Sequence, residues 1–167
     1  MLEAHKAGIK KVFDIFLNHP YEAVLFHCSA GKDRTGVIAA LLLDLAGCHE
    51  HDIVKDYSES YAYNLGMIDK LEEIMDEENQ KYLASSPRYM LILLDYLREH
   101  YGSAYGYLLD IGFSEEEAND IKESLKRAKG TTYELISLTN LANIYKDVQN
   151  SELLEYVPIK IVSLFEE

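Results

Sequence analysis

A chain of 167 residues, 48% hydrophobic and 27% charged, is long and apolar enough for one globular domain, which excludes intrinsic disorder and any need for a disulfide or metal staple. A net charge of −13 argues against nucleic acid or an anionic membrane as a bulk partner, and no apolar run approaches the ~18 residues that a stable membrane insertion needs. The N-terminus lacks a signal-peptide core, and the two cysteines, Cys28 and Cys48, form no disulfide framework, so a reducing cytoplasm is the expected location.

Residues 2–18 carry Ile9, Val12, Phe13, Phe16 and Leu17 at helical spacing, an amphipathic helix that Asn18-His19-Pro20 stops. Ala23-Val24-Leu25-Phe26-His27 is a short apolar run between turn signals and reads as a buried strand. A glycine-containing loop follows. From Thr35 the run TGVIAALLLDLAG is apolar almost all round, a buried helix ending at Gly47. Helix, buried strand, loop and buried helix make the skeleton of an α/β protein with a parallel sheet.

Thereafter the chain is helix upon helix. Helices are expected over 49–64 and 68–83, with a break between them. Ser86-Pro87 opens a third over 87–101, a short one spans 103–109, and Ser114 caps a fifth. Over 131–167, TTYELISL and PIKIVSL are β-branched enough for strands, whereas 138–150 has helical spacing; both readings stay open.

Charge singles out the N-terminal quarter. Residues 1–36 hold five Lys/Arg against four Asp/Glu, whereas 37–167 hold eleven against twenty-five. Inside the balanced stretch lies His27-Cys28-Ser29-Ala30-Gly31-Lys32-Asp33-Arg34-Thr35-Gly36. A cysteine leaves a buried strand, a tight loop follows, and Arg34 begins a helix. Such a loop turns its backbone N–H groups inward at the positive end of the helix, which makes an anion cradle. Those dipoles and the Arg34 guanidinium would lower the Cys28 pKa, and only the thiolate is a nucleophile. Arg34 offers a planar fork for two phosphate oxygens, and Gly31 and Gly36 let the backbone come close to the anion.

The segment resembles the Cys-x5-Arg-Ser/Thr loop of the cysteine-based tyrosine phosphatases, and more closely the HCxxGKDRTG loop of the bacterial tyrosine/serine and phosphoinositide phosphatases. The resemblance extends through Asp56-Tyr57 and Ser60, SPRYM at 86–90 and YGSAYGYLLDIGFS at 101–114, covering roughly 1–127. It implies a single α/β domain over 1–167: a tyrosine-phosphatase-like parallel sheet flanked by helices, helix-rich, with helices 49–127 as a cap or lid. Residues 1–127 would correspond to the C-terminal part of the catalytic domain and 131–167 to an extension. Members usually carry several strands ahead of the helix that opens this chain, so the usual N-terminal part is expected to be lacking.

Carried over by position, Cys28 attacks phosphorus and becomes a cysteinyl-phosphate. Arg34 and the N–H groups of Ser29, Ala30, Gly31, Lys32, Asp33 and Arg34 bind the phosphate oxygens. Thr35 donates its hydroxyl toward the Cys28 sulfur, and His27 orients the loop. This chain has no tryptophan, and Asp14, the only upstream aspartate, falls in a helix. Asp33, inside the loop, resembles the position proposed as the acid in the GKDRTG subgroup. Lys32 adds a cation at the rim, which in the family accompanies phosphoinositide activity. The implied substrates are phosphorylated proteins (phosphotyrosine, with phosphoserine/threonine) or phosphoinositides. No cofactor or metal is implied.

Simpler readings stand beside these. Cys28 as an inert thiol fits poorly with Gly31, Arg34, Thr35 and Gly36 all in register. Asp33 also reads as a helix cap or a lysine partner, and Lys32 as a solvated surface charge. His49 and His51 near Cys48 and Asp52 sit on different faces of a helix start, which argues against a metal. Gly31-Lys32 is followed by Asp33, which argues against a nucleotide-binding P-loop. The competing class is a phosphate-binding or interaction module without turnover.

Overall fold

The computed structural model describes residues 1–28, 30–72, 84–127 and 159–163. In chain order they form α1 (Lys6–Asn18), β1 (Ala23–His27), α2 (Asp33–Ala46), α3 (Glu50–Glu72), α4 (Pro87–Tyr101), α5 (Ala104–Asp110), α6 (Glu115–Arg127) and β2 (Ile159–Ser163). The protein is helix-rich.

Helix α2 organises the rest. Val37, Ile38, Ala39, Ala40, Leu41, Leu42 and Leu45 are all buried, as expected of a segment apolar all round. On one side Ile38, Leu41 and Leu42 join Ile9 and Phe13 of α1, Tyr107 and Leu108 of α5 and Ile121 of α6 in the main core. On the other, Ala40 packs in a smaller cluster with Ile53 and Tyr57 of α3 and Met90 and Leu94 of α4. Two layers of helices therefore close on the element that begins at the loop.

The helix ends follow local chemistry. Gly47 adopts a left-handed φ of 88° and its N–H closes on α2, the glycine stop expected there. At α6 the Ser114 hydroxyl accepts from the Glu117 N–H at 3.2 Å, while the Glu117 carboxylate accepts from the Ser114 N–H at 2.8 Å, a reciprocal capping box. Pro87 sits in the first turn of α4.

Two expectations about the helices are corrected. The first helix begins at Lys6 rather than at residue 2, because residues 2–5 form a turn. Leu2 is nonetheless buried, and its carbonyl accepts from the Tyr107 hydroxyl at 2.9 Å. The break expected between 64 and 68 does not occur, since α3 runs unbroken from Glu50 to Glu72. A lone Gly66 costs a helix only about 1 kcal/mol, which a packed face readily offsets. The part of the second expected helix over 73–83 lies outside the described residues, as do 131–158.

PIKIVSL contributes a strand: β2 pairs with β1 in parallel, with Ala23 opposite Ile159 and His27 opposite Ser163. The wider sheet expected from the sequence is not shown by the described residues, among which these two strands are the sheet.

Candidate functional site

Strand β1 ends at His27 and delivers Cys28 to the N-terminus of α2. Between them the backbone turns at Gly31, whose φ of 64° lies in the left-handed region where a Cβ would be strained. The turn is locked by the first helical bond of α2, from the Gly36 N–H to the Lys32 carbonyl at 2.8 Å. Cys28 is buried at the bottom, and so is Thr35, whose hydroxyl donates to the Cys28 sulfur at 3.2 Å. Backbone N–H groups of Thr35, Gly31 and Lys32 also bond the sulfur.

These contacts decide the state of the thiol. Burial pushes its pKa up, but the Thr35 hydroxyl and the three N–H groups outweigh burial, and the net shift is downward. The lowering contributions thus come from hydrogen bonds at the sulfur, the loop N–H groups expected from the sequence together with the Thr35 hydroxyl. Thr35→Val keeps the volume and removes the donor, so its thiol should alkylate at higher pH than the wild type. A profile of iodoacetamide reaction rate against pH reads this directly. An unmoved profile would mean that the hydroxyl does not tune the sulfur.

The other site residues fall around this centre. Arg34 is half-buried in the first turn of α2. Asp33 precedes it with a side chain 59% exposed. His27 and Ala30 are half-buried, and Ser29 lies outside the described residues. Cys48 is exposed beyond the far end of α2, so the two free cysteines are held apart by a whole helix.

Lys32 departs from expectation. It is only 7% exposed, so it is not a solvated rim charge. Its ammonium lies 3.3 Å from the Asp33 carboxylate and donates a long bond of 3.5 Å to the Ala84 carbonyl, while its stem is buried.

A wall from α3 and the start of α4 completes the site. Tyr57 lies over Gly36 so closely that a Cβ there would meet its ring at 2.9 Å. Burial first, then the Asp33 carboxylate and Tyr89, push the Tyr57 hydroxyl up to about 12, so it stays protonated. One turn on, the Ser60 and Ser85 hydroxyls share a buried bond of 2.6 Å, and Asn64 donates to the Ser60 carbonyl at 2.8 Å. Beside Tyr57, burial and the negative Glu59 raise the Asp56 carboxyl above the usual range. The sequence marks Asp56, Tyr57 and Ser60 only as points of resemblance. It gives no sign of Ala84 or Ser85.

Comparison with known proteins adds the ancestry of this arrangement. Residues 1–127 match the tyrosine phosphatase family, the span over which the resemblance was read. The chain is 41% identical over 130 residues to a tyrosine-protein phosphatase of Nostoc commune, covering 71% of this chain and 44% of that protein. It is 30% identical over 116 residues to the triple specificity protein phosphatase PtpB of Mycobacterium tuberculosis, covering 59% of this chain and 42% of that one. The chain therefore spans less than half the length of these relatives. No solved structure matches it at comparable stringency.

Proposed function

The chain belongs to the tyrosine phosphatase family, and from that premise we propose that it hydrolyses phosphomonoesters through a cysteinyl-phosphate on Cys28. The observation that carries the reading is the hydrogen bond from the Thr35 hydroxyl to a thiol already ringed by backbone N–H groups. A buried thiol without a task has no use for so many donors, whereas a nucleophile needs them to exist as thiolate.

In this reading the Cys28 sulfur attacks phosphorus, the S–P bond forms and the ester P–O bond breaks. Arg34 and the loop N–H groups hold the equatorial oxygens as charge develops on them. Asp33 is the acid in this reading and passes a proton to the departing ester oxygen. Water then attacks the phosphocysteine, returning the proton to Asp33, and Thr35 steadies the leaving thiolate. His27 keeps the loop oriented from the end of β1. A parallel sheet flanked by helices, with the helices after α2 as a cap, completes the fold in this proposal.

The substrate class we infer is phosphotyrosine on protein, with phosphoserine/threonine and phosphoinositide as further candidates. The name of one relative, a triple specificity phosphatase, supports a set wider than phosphotyrosine. A nucleophile of this kind must stay reduced, which fits the cytoplasm. Among the described residues no helix is long and apolar enough to cross a membrane.

The test is hydrolysis of p-nitrophenyl phosphate and of an alkyl phosphate by the wild type and Asp33→Asn. Nitrophenolate leaves without a proton and an alkoxide does not. Asp33→Asn should therefore lose about 10²-fold on the alkyl ester and far less on the aryl ester. Equal losses on both would remove Asp33 as the acid. The competing outcome is a phosphate-binding module without turnover. A folded wild type that binds phosphate but hydrolyses neither ester would establish it.

A further inference from the structure

We propose that Lys32 is a positioning residue for the Cys28 nucleophile: its buried ammonium, between the Asp33 carboxylate and the Ala84 carbonyl, clamps the phosphate loop to the segment leading into α4. The proposal rests on the reading of Cys28 as nucleophile and deepens it.

Lysine is rarely buried, because its ammonium loses hydration that only carboxylates and carbonyls replace. At 7% exposure Lys32 has accepted that cost, with Asp33 at 3.3 Å and Ala84, 52 residues away in the chain, at 3.5 Å. The same residue presents its backbone N–H to the Cys28 sulfur. Main chain and side chain thus point to different tasks, one in the cradle and one in the wall behind it.

The wall is itself anchored. Ser85, next to Ala84, is bonded to Ser60 of α3, and both are buried. Asn64 holds the Ser60 carbonyl one turn further along. A continuous path runs from α3 through Ser60, Ser85 and Ala84 to the Lys32 ammonium, and through the Lys32 main chain to the sulfur. Loosening any part should let the Lys32 N–H swing away from Cys28. A clamped lysine is also not an outward cation reaching for a substrate headgroup.

The experiment compares Lys32→Met, Ser85→Ala and the double variant in the full chain. Two readouts are taken: the pH profile of iodoacetamide alkylation, and kcat/KM on p-nitrophenyl phosphate and on an inositol polyphosphate. Lys32→Met should move alkylation to higher pH and lower kcat/KM about tenfold on both substrates alike. Ser85→Ala, which keeps the lysine charge, should move alkylation the same way by less. The double variant should go no further than Lys32→Met, because the two act along one path.

An unchanged alkylation profile, with loss confined to the polyphosphate, would overturn the proposal in favour of a substrate-contacting lysine. Should Lys32→Met not fold by circular dichroism, Ser85→Ala decides alone, and an unmoved profile again overturns it. Alkylation needs no turnover, so a chain that fails as a phosphatase still reports on the clamp.

Discussion

Cys28→Ser should abolish phosphomonoester hydrolysis while leaving phosphate binding intact. The serine hydroxyl does not ionise near neutral pH, and no arrangement of N–H donors brings it into range. The nucleophile is lost, and turnover should fall about 10⁴-fold or more. The cradle does not depend on sulfur. The left-handed turn at Gly31, the inward N–H groups and Arg34 at the start of α2 persist in the variant. Removing a thiolate also removes a negative charge facing the incoming anion, so inorganic phosphate should bind at least as tightly as to the wild type. Two measurements check this: p-nitrophenyl phosphate turnover and calorimetric titration with phosphate. Retained turnover in the variant would overturn the proposed mechanism. Loss of both turnover and binding, with a native circular dichroism spectrum, would mean that the sulfur organises the loop.

The largest effect on stability is expected at a glycine far from the chemistry. Gly106→Ala should destabilise the fold by about 3 kcal/mol or more, at the upper end of overpacking penalties. Helix α4 ends at Tyr101, Gly102 turns the chain with a φ of 75°, and Ser103 caps α5, accepting from the Gly106 N–H at 3.4 Å. This reversal leaves Gly106 facing the backbone of Tyr101. A Cβ there would overlap the Tyr101 carbonyl oxygen and lie 3.1 Å from its carbon. Backbone cannot rotate aside as a side chain can, so α5 itself must move. It carries Ala104, Tyr107 and Leu108, all fully buried in the main core. Gly47→Ala is the control: its left-handed φ imposes about 1 kcal/mol of strain, but its Cβ would enter open space. Urea midpoints at unchanged slope give both values, and a Gly106→Ala loss no greater than the control would refute the packing argument.

What the sequence discloses about the site is what its local grammar encodes. Cys28, Gly31, Arg34, Thr35 and Gly36 lie within one strand-loop-helix unit, so their spacing predicts a cradle, while the Thr35 hydroxyl near the sulfur follows only from the family resemblance. The helix stop at Gly47, the Ser114–Glu117 box and the Pro87 start are local in the same way. Of the two readings of Lys32, the solvated one fails because its surroundings are not local. Whether a lysine after a glycine is solvated or buried depends on where Ala84 and Ser85 come to lie, and no periodicity reports that. The tuning of Cys28 was legible in part: inward N–H groups follow from a tight loop at a helix start, whereas which of them reach the sulfur does not. The interruption expected between 64 and 68 errs the other way, since the helix continues through it.

The enclosure of α2 on both sides has a consequence for when the cradle can open. A surface loop samples open states at little cost, but this one is continuous with a helix locked between two apolar clusters. The Lys32–Gly36 bond that closes the turn is also the first rung of that helix. The amides around the sulfur therefore belong to the last region to exchange with solvent, opening with the whole molecule rather than by local fraying. A shift of the wall contributed by α3 and the residues before α4 would therefore reach the cradle through the Lys32 contact.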